Sequence, residues 1–202
     1  MTVDRAPHPH PMALTQVAAI AVVVLGSVIG VNIAQNGSEQ RVAPKLYSKE
    51  DVLKLSCKAD FVAAWRAGAA PADYHGRKFD ARVLPLGVLA PVSSFITHRL
   101  FGGIGGGEWL GKAFMKEGVG INRFTGGDKV SFGARVAPSN IDKRPALVLD
   151  YSAGDSRVWG SFLGMRDEIR EVAPGVLLGL GSMTASGGMQ NSAPFMMWKA
   201  PR

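Results

Sequence analysis

Residues 166–171, RDEIRE, form a dense run of charge that could anchor the polar part of a ligand. If this segment is a β-strand, Asp167 and Glu171 face one side and Arg170 faces the other, because side chains alternate across a strand. One side of a strand in a closed barrel is enclosed, and an enclosed charge must be paired or used. We therefore expect at least one of these three groups to point inward and to pair with an opposite charge across the barrel.

The resulting hypothesis is a polar anchor for a ligand head group at one end of an apolar cavity. Candidate partners for the charged strand are Lys112 and Arg123. The predicted ligand-binding residues all carry a charge, and they are Asp150, Asp167, Arg170, Glu171, Lys112 and Arg123. The alternative is a ladder of ion pairs on the outer face of the sheet, where such pairs are common.

A second polar segment, residues 106–113 with sequence GGEWLGKA, nearly matches the phosphate-binding loop G-x-x-x-x-G-K-[S/T]. That loop needs a hydroxyl group after the lysine to hold magnesium, and it leads into a helix. Ala113 supplies no hydroxyl, Trp109 is bulky for a loop around phosphate, and the residues that follow have the pattern of a strand. We therefore do not expect nucleotide binding.

The sequence contains no pattern that identifies a metal site or catalytic residues. His75 and His98 have no carboxylate at a ligand spacing, and the single Cys57 cannot form a structural zinc site. We predict no metal and no cofactor, and the catalytic residues stay unknown. A cofactor-free enzyme remains an alternative, in which Asp150, Asp167 and Arg170 perform acid–base work inside the barrel.

Residues 13–34 contain no formal charge and predict a membrane anchor. A helix needs about 20 apolar residues to cross a hydrocarbon core of roughly 30 Å. A cleaved secretory signal and a buried soluble helix are the alternatives. The cations after the segment favour a cytoplasmic domain, whereas a short tail before a single span also suits an exported one. We expect a single-pass, membrane-anchored protein and leave the side of the membrane open.

The formal net charge of +7 indicates a basic surface that could favour anionic lipid head groups. The lysines and arginines are scattered, with no dense stripe and no interleaved aromatic residues. Nucleic-acid binding usually needs such a stripe. We therefore expect no nucleic-acid partner.

The order of these signals predicts a tail at 1–12, the anchor at 13–34, a linker at 35–47 and one folded domain at 48–202. Ser48, with Asp51 three residues later, resembles a helix-capping box. Apolar residues then follow at a spacing of four, the pattern of one helix face, and they are Leu53, Cys57, Phe61 and Trp65. One or two helices therefore precede the sheet.

The rest of the chain predicts about seven short strands separated by turns rich in glycine and proline. Reversals are expected at residues 126–128, GGD, and 173–175, APG. Because no long helices alternate with the strands, a parallel doubly wound sheet is disfavoured. The predicted fold class is mainly β (α+β), an antiparallel barrel preceded by short helical structure.

Several aromatic and glycine-rich motifs occur in a characteristic order, namely AAWRAG at 63–68, WLGKAF at 109–114, ALVLDY at 146–151, RDEIREV at 166–172 and VLLG at 176–179. This order resembles a bacterial family of unknown function known by a G-x-W-x-G motif and a following W-x-G-K-x-F. The resemblance covers roughly residues 60–182, and Ala63 stands where that family has its first glycine. It implies a lipocalin-like antiparallel barrel with a tryptophan plugging one end, and it implies no established activity. We expect Trp65 and Trp109 to be core residues at the barrel base.

Three functions are consistent with these observations. The leading hypothesis is a membrane-tethered barrel that binds a hydrophobic or amphipathic small molecule, such as a lipid. The second is an accessory or scaffold subunit of a membrane complex, with the barrel filled by its own side chains. The third is the cofactor-free enzyme that uses barrel carboxylates.

Overall fold

Eight antiparallel strands close into a barrel in the part of the chain that the computed structural model describes. The described residues are 47–84, 86, 106–116, 118–153, 164–184 and 187–200. The strands are β1 (Lys78–Val83), β2 (Trp109–Phe114), β3 (Val119–Phe124), β4 (Gly127–Pro138), β5 (Pro145–Asp150), β6 (Met165–Ala173), β7 (Val176–Met183) and β8 (Ala193–Lys199). Each strand pairs with its neighbours in sequence, and β1 pairs with β8, from Val83 opposite Phe195 to Phe79 opposite Lys199. The mainly β, antiparallel prediction is confirmed.

Two short helices precede the barrel, α1 (Lys49–Leu53) and α2 (Lys58–Ala67). The Ser48 side chain caps α1, and Asp51 completes the capping box. The sequence predicts one apolar helix face from Leu53 to Trp65. This prediction is wrong, because Cys57 has an extended backbone and is the N-cap of a second helix. Leu53, expected on the buried face, is 42% exposed, and Val52 is buried instead.

Two short 3-10 helices also occur in the described residues, Tyr151–Ala153 after β5 and Gly188–Asn191 before β8. The expected reversals near Gly126 and Pro174 are present as the β3–β4 and β6–β7 hairpins. Adjacent antiparallel strands can be joined by a turn of few residues. A short glycine-rich segment between two strand patterns is therefore enough to predict a hairpin.

The core consists of two groups of apolar side chains on opposite faces of the sheet. The inner group lines the barrel interior and includes Phe79, Phe132, Leu149, Ile169 and Phe195. The outer group lies between the helices and the outer faces of neighbouring strands, and it includes Phe61, Trp65, Val172, Leu178 and Met196. Alternation along each strand assigns successive residues to these two groups.

The predicted membrane anchor, residues 13–34, lies outside the described residues. No helix in the described part of the chain is both long and apolar enough to cross a bilayer. The tail, most of the predicted linker and His98 also lie outside the described residues.

Candidate functional site

An ion pair between Lys112 and Asp167 lies inside the barrel. Lys112 on β2 and Asp167 on β6 approach to 2.9 Å between Nζ and Oδ2. The Lys112 side chain is 2% exposed and the Asp167 side chain is 10% exposed. Lys112 Nζ also lies 2.6 Å from the Tyr151 hydroxyl oxygen and 2.8 Å from Asn122 Oδ1. These three contacts match the three hydrogen-bond donors of an ammonium group.

The neighbouring groups complete a polar network around this pair. The Tyr151 hydroxyl donates to Asp167 Oδ2 at 2.8 Å. Asn122 Oδ1 also accepts from the Trp109 indole N–H at 3.1 Å, and Asn122 Nδ2 donates to the Val130 carbonyl at 2.8 Å. Because the amide nitrogen must face that carbonyl, the amide oxygen faces Lys112 and Trp109.

Irregularities in two strands direct the network residues inward. The register of β2 against β3 shifts between Trp109 and Gly111, which allows both Trp109 and Lys112 to face the interior. A second shift in the β3–β4 pairing leaves Val130 with a φ of 61°. This left-handed conformation is unusual for a β-branched residue. It accompanies the contact between the Val130 carbonyl and Asn122.

Aromatic rings surround the Lys112 ammonium group. Its Nζ lies 5.1–5.5 Å from the ring centroids of Phe132, Trp109, Tyr151 and Phe195. Rings attract a cation through their negative faces, most strongly where water is excluded. The interior of the barrel therefore presents one polar cluster within an aromatic lining.

The enclosed position changes the acid–base behaviour of two groups. Burial lowers the pKa of Lys112, and the Asp167 carboxylate opposes this change through its charge and its hydrogen bond. Burial raises the pKa of Tyr151 well above its ordinary value, and the charge of Asp167 raises it further. Shifted ionisable groups inside a cavity are typical of functional sites, although structural ion pairs show them too.

Of the predicted ligand-binding residues, only Lys112 and Asp167 belong to this network. Arg123 pairs with Asp80 at 2.9 Å, and both side chains are partly exposed. Asp150 accepts hydrogen bonds from the backbone and hydroxyl of Ser152. Glu171 accepts from the backbone N–H of Gly175 in the β6–β7 hairpin. The expected inward pair is thus the one between Asp167 and Lys112, and ligand binding by the six residues stays a prediction.

Arg170 lies on the outer face of β6, with its guanidinium 4.0 Å from the centroid of the Trp65 ring. It makes two hydrogen bonds of 2.7 Å to the Asp142 carboxylate. The neighbouring Glu168 is also buried and accepts from Ser139 at 2.6 Å. The predicted alternation along β6 is correct. The outer face of this strand is nevertheless as buried as the barrel interior, because α2 covers it.

Trp65 is buried as expected, but between α2 and β6 rather than in the barrel. Its indole N–H donates to the Glu168 carbonyl at 3.2 Å. Trp109 lies in the inner group. Both tryptophans are therefore core residues, as expected, but of the two only Trp109 lies inside the barrel.

Sequence reasoning missed Tyr151 and Asn122 as network members. Alternation places Tyr151 on the same face as Leu147 and Leu149, and it places Asn122 with Gly120 and Phe124. The strand patterns therefore indicated which residues share a face with Tyr151 and with Asn122. Which of two possible faces is interior depends on strand pairing around the whole barrel, which the patterns do not specify.

Among the described residues, no group of three or more histidine, cysteine, aspartate and glutamate side chains could hold a metal ion. The described His75 instead lies with Nδ1 3.4 Å from the Met115 carbonyl. The side chains of the Lys112–Asp167 network carry an amine, a carboxylate, a phenol, an amide and an indole.

Fold and site together define a closed antiparallel barrel with an ion pair enclosed among aromatic rings. No family model matches the chain, and no curated protein matches it. The chain is similar to a crystal structure of a protein from Thermomonospora curvata, with 16% identity and a TM-score of 0.44 over 72% of this chain and 90% of that one. At this level the similarity carries no information about function.

Proposed function

We propose that the barrel binds a small hydrophobic or amphipathic molecule whose polar group meets the Lys112–Asp167 network. The observation that carries this proposal is the ion pair enclosed among aromatic rings. A buried ion pair is weak evidence for stability, because apolar residues of similar volume often stabilise a protein as well or better. A polar anchor in an apolar lining is instead the usual composition of a small-molecule site.

The architecture supports the same proposal. An eight-stranded barrel has an interior that either is just filled by side chains or holds one small ligand. Lipocalins are up-and-down barrels of this kind, and the resemblance to the G-x-W-x-G family points to the same architecture. We include in the proposal the single-pass anchor at 13–34, which would place the barrel beside a membrane where lipids are available.

The scaffold alternative is favoured by one observation. Every buried side-chain nitrogen or oxygen atom in the described residues has a hydrogen-bond partner within the protein. A barrel that satisfies its own polar groups could be a filled structural unit in a membrane complex. Such a protein would retain no small molecule.

The enzyme alternative rests on the lowered pKa of Lys112 and its contact with Tyr151. These groups could exchange a proton with a bound molecule. This alternative predicts chemical conversion of an added molecule, whereas a binding module releases it unchanged.

Native mass spectrometry of the full-length protein in mild detergent tests the proposal. We expect the wild type to retain a small molecule and Lys112→Met to lose it. The matched control is Arg123→Met, which removes a cation on the neighbouring strand β3 from a partly exposed pair, and this variant should retain the molecule. Circular dichroism checks that both variants fold. An empty wild-type protein, or equal retention by all three proteins, contradicts the proposal.

A further inference from the structure

The two oxygens of the Asp167 carboxylate differ in the hydrogen bonds that they accept. Oδ2 accepts hydrogen bonds from Lys112 and Tyr151. No hydrogen bond to Oδ1 occurs among the groups that the structure describes, although the residue is only 7% exposed. Because every fully buried side-chain oxygen of the described residues has a hydrogen-bond partner, Oδ1 must be reached by solvent, and it is an acceptor that a ligand could use.

The donors of Lys112 and Trp109, in contrast, are already used. Lys112 Nζ has three acceptors, from Asn122, Tyr151 and Asp167. The Trp109 indole N–H is bound to Asn122. A ligand carbonyl or carboxylate would therefore have to displace an existing partner, and leaving a buried polar group without a partner is unfavourable.

Charge leads to the same conclusion. The enclosed site holds one cation and one anion at 2.9 Å, so it presents no net charge to a ligand. An anionic head group would lose its hydration on entering the barrel without gaining an uncompensated cation. A neutral group that donates a hydrogen bond avoids this loss.

A glycine on the neighbouring strand leaves Oδ1 uncovered by a side chain from that strand. Asp167 lies opposite Gly181 on β7, and a methyl group at Gly181 would lie 3.1 Å from Oδ1. The same methyl position is 3.7 Å from the Phe195 ring. An oxygen acceptor and an aromatic surface therefore lie side by side.

We infer that the ligand presents a hydrogen-bond donor, such as a hydroxyl group, to Asp167 Oδ1 and places its apolar part against the aromatic lining. This inference rests on the proposed function and specifies the class of molecule, an alcohol-like amphiphile rather than a fatty-acid-like anion.

Three probes with eight carbons distinguish these classes, namely 1-octanol, 2-octanone and octanoate. We expect the full-length protein to bind 1-octanol at least about tenfold more tightly than 2-octanone, because a hydrogen bond to a charged acceptor is worth that much or more. Octanoate should bind most weakly. Isothermal titration calorimetry measures all three affinities.

Asp167→Asn provides the sharpest variant. The asparagine oxygen is needed where Oδ2 accepts from Lys112 and Tyr151, so its amide nitrogen takes the position of Oδ1. The unused position then changes from acceptor to donor. We expect this variant to bind 2-octanone more tightly than the wild type does. The affinity for 1-octanol should then exceed that for 2-octanone by about twofold or less.

If Asp167→Asn does not fold, Gly181→Ala provides the second variant, because it keeps the network and crowds Oδ1. It should weaken 1-octanol binding and leave the affinity for 2-octanone nearly unchanged. Tightest binding of octanoate, or equal wild-type affinities for the alcohol and the ketone, overturns the inference and leaves the proposed function standing. Failure of all three probes to bind counts against the proposed function itself.

Discussion

The charged residues of this chain lie in different environments, and the environment decides how much each charge contributes to stability. Lys112 and Asp167 pair in an enclosed site, whereas Arg123 and Asp80 pair where water reaches both side chains. Removing one partner of an enclosed pair leaves the other without compensation, while an exposed pair loses little. The two pairs therefore provide an internal comparison within one protein.

We expect Asp167→Ala to lower the free energy of unfolding by about 3–5 kcal/mol. Asp80→Ala, the matched control, should lower it by about 0–1 kcal/mol. Urea denaturation followed by circular dichroism measures both. The double replacement Lys112→Met with Asp167→Leu should recover much of the loss, because it removes both charges together. Losses of similar size for the two single variants would place the Lys112–Asp167 pair in a solvent-like environment.

Tyr151 predicts a specific dependence of stability on alkaline pH. Its pKa is raised in the folded protein, so above about pH 10 the unfolded chain releases a proton that the folded protein keeps. Stability from this group is therefore lost as pH rises above about 10. The lowered pKa of Lys112 acts in the opposite direction up to about pH 10.5, since there the unfolded chain binds more protons.

Comparison with Tyr151→Phe isolates the tyrosine. The stability advantage of the wild type over this variant should shrink as pH rises above about 10, because phenylalanine has no proton to release. Urea midpoints between pH 8 and 11 measure the difference. A constant gap across this range contradicts a raised pKa for Tyr151.

At the scale of the elements, β6 connects the two buried regions of the protein. Its inward side chains include Asp167 and Ile169, and its outward side chains include Glu168 and Arg170. The outward groups hold α2 through Trp65 and hold the β4–β5 hairpin through Asp142. The helix therefore belongs to the fold and covers charges that would otherwise lie on a barrel surface.

Trp65→Ala tests the contribution of this helix–sheet contact. Truncating a fully buried tryptophan should cost about 3–5 kcal/mol of stability, because a large volume of packing is lost. It also removes the ring over Arg170. Trp65→Phe, the control, keeps an aromatic ring and loses the hydrogen bond to the Glu168 carbonyl, so its cost should be smaller. A thermal midpoint unchanged by Trp65→Ala contradicts the structural role of α2.

At the scale of the whole molecule, the described residues form a unit that closes on itself. The pairing of β1 with β8 leaves no open sheet edge, and closure removes the exposed strand edges that favour aggregation. The inner and outer apolar groups both form within residues 47–200. Folding of this unit is therefore expected to be independent of the predicted anchor.

Deleting residues 1–40 should yield a soluble, folded protein. The reason is that the predicted span is removed while the barrel, α1 and α2 keep all their contacts with one another. Size-exclusion chromatography and near-ultraviolet circular dichroism measure the outcome. An aggregated or unfolded product would make the amino-terminal segment part of the fold and move the domain boundary.

Local patterns in the sequence were sufficient to predict the strands, the β3–β4 and β6–β7 turns and the cap of α1. Alternating side chains predict strands because a strand exposes its two faces in turn, and Ser48 with Asp51 predicts a helix start because both groups bind nearby backbone atoms. The same reasoning predicts opposite faces for Asp167 and Arg170, and it gives Lys112 and Arg123 as candidate partners, of which Lys112 pairs with Asp167.

Tertiary structure decided which charges meet. Asp167 and Lys112 are 55 positions apart along the chain, and only closure of the barrel places their strands so that the side chains touch. Alternation also could not tell that the outer face of β6 is buried beneath α2, or that a bulge in β2 turns Trp109 inward. Sequence patterns report local backbone geometry, whereas burial and ion pairing depend on contacts between distant strands, and those contacts exist only once the sheet has closed.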